Sequence, residues 1–514
     1  MNTFLLYKNQ DFDLQRPLPW NERALTQDLE LNTLFNAMAL GDRFLFEVAK
    51  KAVLFSVTDA ETILYRQEIL QDCLKHPSIV RRIYEIAVDA IEREKAHYWR
   101  GISKHPSTIL HESIAVLQMF MTMLNKLKTI ADEHATQFES EGFAALFAML
   151  KRELSDEYCA RVHRHLGQLR FRDGLLISAQ LGEGNKGTHY VLRKPAERKQ
   201  NWLMRLFAAQ PLSYTFTLHP RDESGARALS ELKDRGINSV ANALAQAADH
   251  MLHFFRTLRA ELAFYVGCMN LHGQLVRKGE PISFPVPEPA IERRHVCTGL
   301  YDVCLSLTLD RRVVGNDVNG DKKDIVIITG ANQGGKSTFL RSIGLAQLMM
   351  QCGMFVPAAF CRANICGGLF THYKKEEDMA MKRGKLDEEL SRMSEIVDNL
   401  GPNCMVLFNE SFAATNEREG SEIAKQIISA LLEHRIKIFF VTHLYQFAHV
   451  LYQAKMENAL FLRAERQPHG GRSFKLIEGA PLDTSYGEDL YRKILVENRY
   501  ADCAVPICSA PVDE

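Results

Sequence analysis

The chain has 514 residues, of which 46% are hydrophobic and 25% charged, so two to four globular domains are expected. Its 63 Lys and Arg residues balance its 63 Asp and Glu residues, so net charge neither favours nor excludes a nucleic-acid partner. No stretch approaches the roughly 20 apolar residues of a membrane helix, and the first residues lack the basic segment of a signal peptide. The eleven cysteines are scattered without a CxxC pair, which predicts reduced thiols in a cytoplasmic protein.

The region from about residue 25 to 165 is predicted to be helical. Apolar residues recur there at intervals of three and four, as at Leu31, Leu34, Phe35 and Met38. This spacing is that of an amphipathic helix. Glycine is rare, so long helices with short connections are expected.

A strand-rich insertion at about 166–200 is predicted next. The segments LRFRDGLLISAQL and THYVLRK read as strands around a glycine-rich turn. That turn, GEGNKG at 182–187, also fits the dinucleotide fingerprint GxGxxG. The fingerprint must open a helix, however, and here the chain continues as a strand. The turn therefore predicts a β-hairpin, and helical periodicity returns from about 226 to 275.

Basic residues are concentrated in and around the predicted hairpin. Between Lys151 and Arg205 there are twelve Lys or Arg residues and six Asp or Glu residues, a surplus of 12 − 6 = 6 positive charges. Such a hairpin can follow DNA phosphates without reading sequence. A solvated hairpin with ordinary surface charges is the alternative. The candidate DNA-binding residues are Arg170, Arg172, Lys186, Arg193 and Lys194.

After a proline-rich stretch near residue 285, the chain alternates short apolar strands with helices. Strands are predicted at 324–329, 404–408 and 436–442, with helices beginning at Lys336, Lys385 and Gly420. This order is typical of an α/β domain with a mainly parallel sheet. The predicted fold is therefore multidomain, with a largely helical domain at 1–290 and an α/β domain at 291–514.

The segment GANQGGKS at 330–337, called here the glycine-rich loop, fits GxxxxGK[ST] and lies between a predicted strand and a predicted helix. Glycines let backbone N–H groups surround phosphates, the lysine contacts the β and γ phosphates, and the serine hydroxyl can bind Mg²⁺. We therefore predict ATP and Mg²⁺ as ligands. The predicted nucleotide-binding residues are Gly330, Ala331, Asn332, Gln333, Gly334, Gly335, Lys336, Ser337 and Thr338.

Two further strand ends carry candidate catalytic groups. Strand 404–408 is followed by Asn409 and Glu410. Glu410 is the predicted general base or water-orienting group, and Asn409, with Ser337, is a predicted metal ligand. Strand 436–442 is followed by His443, which could donate a hydrogen bond to the γ phosphate. A solvated strand end and a structural histidine are the alternatives.

Three segments together resemble the MutS family of DNA mismatch-repair ATPases, relatives of the ABC-type ATPases. They are ITGANQGGKSTFLRSIGLAQLMMQCGMFVPA, LFNESFAATNEREGSEIA and FFVTHLYQFA. The resemblance implies a helical core and lever with a β-hairpin clamp-like insertion, followed by a P-loop ATPase domain of ABC type. It also implies a homodimer that sandwiches ATP–Mg²⁺ and opens and closes its arms on duplex DNA in repair or recombination.

The sequence departs from the family pattern at several places. The chain begins near the helical core, so we expect no mismatch-reading domain at its N-terminus. Asn409 replaces an aspartate, and Asp387 lies where the family usually has serine and threonine. Val313 lies where an adenine-stacking aromatic is expected. These changes predict slow hydrolysis, and they keep open an alternative: a nucleotide-binding interaction protein with slow or no hydrolysis that serves a non-DNA partner.

Overall fold

The computed structural model describes residues 1–98, 105–171, 174–194, 214–215, 217–375, 384–467 and 471–482. The helices are α1 (Glu22–Asp28), α2 (Leu31–Ala39), α3 (Arg43–Leu54), α4 (Ala60–Lys75), α5 (Pro77–Tyr98), α6 (Pro106–His134), α7 (Glu141–Glu153), α8 (Asp156–Gln168), α9 (Glu223–Arg277), α10 (Val303–Thr308), α11 (Lys336–Gln351), α12 (Lys385–Asn399), α13 (Glu417–Glu433) and α14 (Tyr445–Gln453). The strands are β1 (Leu176–Leu181), β2 (Gly187–Arg193), β3 (Val286–Glu288), β4 (His295–Leu300), β5 (Asn316–Asn319), β6 (Ile325–Gly330), β7 (Phe360–Asn364), β8 (Leu369–Tyr373), β9 (Met405–Asn409), β10 (Lys437–Val441), β11 (Ala459–Arg466) and β12 (Arg472–Glu478).

The chain divides into two compact units. The first unit holds residues 1–4 and 78–262, and the second holds residues 5–77 and 263–514. Residues 5–77 belong to the second unit partly because the fully buried Arg66 donates to the carbonyl oxygens of Leu6 and Cys352, at 2.8 and 3.3 Å. The sequence predicted a domain boundary at residue 290. That start of the α/β domain stays a prediction.

Helices build most of the first unit. Leu110, Ile114 and Leu117 on α6 pack with Ile237 and Ala241 on α9, which is the three-and-four spacing of an amphipathic face. The stretch Pro106–Gln137 is long and apolar enough to cross a membrane by length and composition, a point the sequence reasoning missed. Half of its most apolar window is buried inside the protein, and this burial favours a core helix.

The glycine-rich turn at 182–187 joins two antiparallel strands. β1 pairs with β2 from Leu176↔Arg193 to Leu181↔Gly187, and the N–H of Gly182 donates to the carbonyl of Lys186 at 2.8 Å. The predicted hairpin is therefore confirmed. Its first strand begins later than predicted, because α8 extends to Gln168 and buries Leu166.

The second unit contains two sheets. The larger has the strand order β12-β11-β6-β10-β9-β8, parallel from β11 to β8 and antiparallel only at β12. The smaller has the order β3-β7-β4-β5. Of the predicted helix starts, Lys336 and Lys385 are confirmed. α13 begins at Glu417 rather than Gly420, because the side chain of Asn416 caps it through the N–H of Glu419.

The larger sheet brings three strand ends to one edge. In the register of β10, Val441 lies opposite Ile328 of β6 and opposite Asn409 of β9. The carboxyl ends of parallel strands form the crevice where α/β sheets bind ligands. The glycine-rich loop and the residues that follow β9 and β10 therefore share that edge.

Candidate functional site

The backbone of the glycine-rich loop requires glycine. Gly330 and Gly335 have φ values of +105° and +89°, in the region that side chains disfavour. A Cβ atom on Gly334 would lie 2.6 Å from the Cβ of Ala464 and 2.9 Å from the carbonyl oxygen of Ala331. Glycine at these positions thus allows the loop to turn and to pack closely against Ala464 of β11.

Lys336, the first residue of α11, is only 5% exposed. Its Nζ donates to the carbonyl oxygens of Gly330 and Ala331, both at 3.0 Å, and among the described residues it forms no ion pair. Burial lowers the pKa of Lys336 to about 8; Glu410 opposes this change and Arg472 adds to it. A buried cation held only by carbonyl dipoles is suited to an anionic ligand.

Ser337 meets the end of β9. Its Oγ donates to Oδ1 of Asn409 at 2.9 Å. Hydroxyl and amide oxygens are ligands of the kind Mg²⁺ takes, but both are neutral. Among the residues that the structure describes, no group of three His, Cys, Asp or Glu side chains could hold a metal ion. A cation here would depend largely on the charge of its other ligands.

Glu410 and His443 pair at the ends of β9 and β10. Nε2 of His443 lies 2.9 Å from Oε1 of Glu410, and both side chains are about one-third exposed. The hydrogen bond from His443 lowers the pKa of Glu410 against the opposing effect of burial, and Lys336 and Lys374 add to the lowering. The carboxylate is therefore ionised at neutral pH and can accept a proton or orient water.

A cavity of about 330 Å³ lies beside the loop. Gln333, Gly335 and Thr338 line it, so the loop and the start of α11 form part of its wall. The remaining lining is mostly apolar, with Leu305, Val313, Phe339 and Phe474 among its residues. Val313 replaces the aromatic residue that the family resemblance leads one to expect. The cavity nevertheless has an aromatic residue in its lining, Phe474, which is 44% exposed. This composition suits a flat apolar group such as a nucleobase.

Side chains from segments distant in sequence hold the glycine-rich loop and β12. The sequence did not predict these contacts. Nε of Arg472 donates to the carbonyl oxygen of Asn332 at 3.2 Å. The side chain of Asn316 donates to the carbonyl of Phe474 at 3.1 Å and accepts from the N–H of Leu476 at 2.8 Å. No local motif distinguishes Arg472.

The acidic stretch after residue 384 forms the first turn of α12. Asp387 and Glu388 lie in that turn, and Glu389 is 6% exposed. Burial raises the pKa of Glu389. Of the carboxylates of Asp387, Glu388 and Glu389, that of Glu389 is therefore buried in the protein.

The candidate DNA-binding residues are spread along the first unit rather than gathered on one strand. Arg170 precedes β1 and donates to Oε1 of Gln118 at 2.7 Å, and Arg193 on β2 donates to Oγ of Ser178 at 2.9 Å. Lys186 in the turn and Lys194 after β2 are exposed. Arg172 lies outside the described residues.

Two family models match most of the chain. A sequence model of the MutS2 N-terminal domain matches residues 58–278, and one of MutS domain V matches residues 326–504. The second match contains the whole glycine-rich loop, Asn409, Glu410 and His443.

Curated relatives carry the same family name. A DNA mismatch repair protein MutS from Syntrophomonas wolfei is 34% identical over 29% of this chain and 18% of the relative. One from Methanosarcina acetivorans is 26% identical over 50% of this chain and 30% of the relative. MutS protein homolog 4 from Mus musculus is 28% identical over 41% of this chain and 22% of the relative. The chain thus matches less than a third of the length of each, and with both family matches it belongs to the MutS family.

Proposed function

We propose that this chain is a DNA-binding ATPase of the MutS type, acting in DNA repair or recombination. It binds ATP with Mg²⁺ on the glycine-rich loop and hydrolyses it with Glu410 as the water-activating group. The observation that carries the proposal is the convergence of Lys336, the Ser337–Asn409 contact and the Glu410–His443 pair on one edge of the large sheet. The names of the relatives, all DNA mismatch repair or MutS proteins, support it.

The residues present fit a nucleotide. Lys336 is a buried cation without an ion pair among the described residues, and Gly334 lies where a Cβ atom would collide with Ala331 and Ala464. The adjacent cavity has room and apolar surface for a base. In this arrangement Lys336 would bind the β and γ phosphates and the loop N–H groups the remaining oxygens. When bound, Mg²⁺ would neutralise phosphate charge.

Glu410 and His443 divide the catalytic work. The carboxylate of Glu410 accepts the hydrogen bond of His443 at one oxygen and can hold or deprotonate an attacking water with the other. His443 keeps that carboxylate ionised and oriented. Ser337 and Asn409 would hold the metal through neutral oxygens, and the missing aspartate charge predicts slow turnover.

The finer architecture is also part of the proposal. The second unit would be an ABC-type ATPase domain that pairs with a second copy across ATP, with α12 facing the partner. The helices of the first unit would be the lever, and the β1–β2 hairpin the clamp, with Arg170, Lys186, Arg193 and Lys194 contacting phosphates. ATP binding and release would shift the arms between open and closed states.

Salt-dependent binding to duplex DNA tests this function against the non-DNA alternative. A fluorescent duplex is titrated with the protein over a series of salt concentrations, with and without ATP. We expect binding that weakens steeply with salt and responds to ATP in the parent but not in Lys336→Met. ATP turnover without any duplex binding at low salt would overturn the DNA role and favour a nucleotide-binding interaction protein.

A further inference from the structure

A buried histidine contacts the residue that follows the proposed catalytic carboxylate. His372 on β8 is fully buried. Its Nδ1 lies 2.7 Å from Oγ of Ser411, and its Nε2 lies 3.0 Å from the carbonyl oxygen of Glu389 on α12. The ring stacks on Phe412 with centroids 5.3 Å apart. One imidazole thus joins β8, the segment 410–412 and α12.

The hydrogen bonds fix the form of the ring. The carbonyl of Glu389 can only accept, so Nε2 carries a hydrogen. Burial, with smaller effects of Arg392 and Lys375, lowers the pKa of His372 to about 4. The ring is therefore neutral at physiological pH, and Nδ1 accepts from the Ser411 hydroxyl, which also lies 2.6 Å from the carbonyl oxygen of His372. The single hydrogen of the Ser411 hydroxyl is therefore shared between two acceptors, Nδ1 and the carbonyl oxygen, that both belong to His372.

The segment that these contacts hold has an unfavourable backbone. Glu410 has a φ of 55° and Phe412 a φ of 63°, values that cost energy in residues other than glycine. Such conformations persist only where surrounding contacts impose them. The N–H of Glu410 donates to the carbonyl of Val441 at 2.9 Å, and Ser411, the next residue, is anchored to His372.

A second contact joins the same segment to α12. The backbone of Phe412 lowers the pKa of the buried Glu389 carboxyl against the larger effect of burial, and the carbonyl of Glu389 accepts from His372. Ser411 is therefore tied through the imidazole to Glu389, near the start of α12. A change at Glu389 would reach Glu410 through the imidazole of His372 and Ser411.

We propose that His372 is a positioning residue: it holds Ser411 so that the carboxylate of Glu410 meets His443 and faces the glycine-rich loop. This inference rests on the proposed catalytic role of Glu410. It goes beyond that role because it assigns the orientation of the base to a side chain of β8 and connects it to α12.

Three variants test the contact. Ser411→Ala removes only one hydroxyl, whereas His372→Gln keeps a donor near Nε2 and loses the Nδ1 contact. His372→Asn places an amide near Nδ1 and can still bind Ser411. We expect kcat to fall about tenfold to a hundredfold in Ser411→Ala and His372→Gln, less in His372→Asn, with ATP affinity unchanged. The matched control is His295→Gln, which alters another buried imidazole, one with no hydrogen-bond partner among the described residues.

The pH profile separates positioning from a merely structural role. Glu410 is faced by His443, Lys336 and Lys374, and the hydrogen bond of His443 is the main cause of its lowered pKa. If Ser411→Ala displaces the carboxylate from His443, the acidic limb of the kcat profile moves to higher pH. A lowered melting temperature with parental kcat and a parental profile would overturn the inference.

Glu410→Gln in the same assay tells the two failures apart. Parental turnover in Glu410→Gln would overturn the proposed role of Glu410 and this inference with it. An inactive Glu410→Gln, together with parental kcat in Ser411→Ala and His372→Gln, would overturn the positioning role alone. We expect turnover to fall in Glu410→Gln, Ser411→Ala and His372→Gln and to be unaffected in the His295→Gln control.

Discussion

Replacing Lys336 with methionine should stabilise the nucleotide-free protein while it removes the nucleotide site. Burial lowers the pKa of Lys336 from 10.5 to about 8. At about 1.4 kcal/mol per pH unit, holding the charge in this place costs about 3 kcal/mol. Methionine fills similar space without a charge, but it removes two hydrogen bonds to carbonyl oxygens, a loss of about 1 kcal/mol for each, although the carbonyl of Ala331 keeps the N–H of Gly334 at 3.2 Å. We expect the free energy of unfolding to rise by about 1 kcal/mol.

Urea unfolding of both proteins without nucleotide, at neutral pH and in alkaline buffers, measures this effect. The folded-state pKa of Lys336 lies below its unfolded value, so between pH 8 and 10.5 the unfolded chain binds more protons. The stability contributed by this group therefore rises with pH across that window, and Lys336→Met should lack the rise. A variant less stable than the parent at neutral pH, or an identical pH dependence, would refute the reasoning.

Three other predictions concern the metal, the loop and the hairpin. Asn409→Asp adds a charge at the atom that Ser337 contacts at 2.9 Å, so ATPase activity should saturate at lower Mg²⁺; an unchanged Mg²⁺ titration would contradict this. Gly334→Ala should abolish binding of a fluorescent nucleotide, whereas the matched control Gly401→Ala, where a Cβ meets nothing within 4 Å, should retain it; binding by both would refute the cradle. Joint neutralisation of the exposed cations in and beside the hairpin should weaken duplex binding. It should also reduce the slope of log K against log salt concentration by about one for each lost phosphate contact. An unchanged slope would exclude the clamp assignment. Those cations are Arg170, Lys186, Arg193 and Lys194.

The centre of the candidate site could be predicted because its signals are local. The apolar runs that became β6, β9 and β10 were placed to within about one residue, since short buried strands between polar segments read clearly. Parallel strands bring their carboxyl ends together. Lys336, Glu410 and His443 could therefore be placed near one another from chain order alone.

The rest of the site depends on contacts that are distant in sequence. Phe474 of β12 lines the cavity, and Arg472 donates to the carbonyl oxygen of Asn332 in the loop. His372 contacts Ser411, the residue after Glu410. No spacing rule connects these positions with residues 330–337. The strands of the smaller sheet escaped for a similar reason: β3 and β5 have three and four residues, too few for a pattern to appear.

Tertiary contacts also override local patterns in the helical half. The segment from Leu169 to Phe171 looks like the start of a strand, yet α8 continues through Gln168 because Leu166 packs in the core of the first unit. The grouping of residues 5–77 with the C-terminal half depends on burial of Arg66. Its carbonyl partners, Leu6 and Cys352, are 346 positions apart, so only the folded structure brings them together.

The most direct test of the account measures ATP binding and ATP hydrolysis together in Glu410→Gln. The substitution keeps the size of the side chain and removes its charge, while Lys336 and the loop are untouched. We expect ATP to be bound at parental affinity and hydrolysed at a small fraction of the parental rate, the pattern of a group that acts in the transition state. Hydrolysis at the parental rate would contradict it and would place the base, if there is one, elsewhere in the protein.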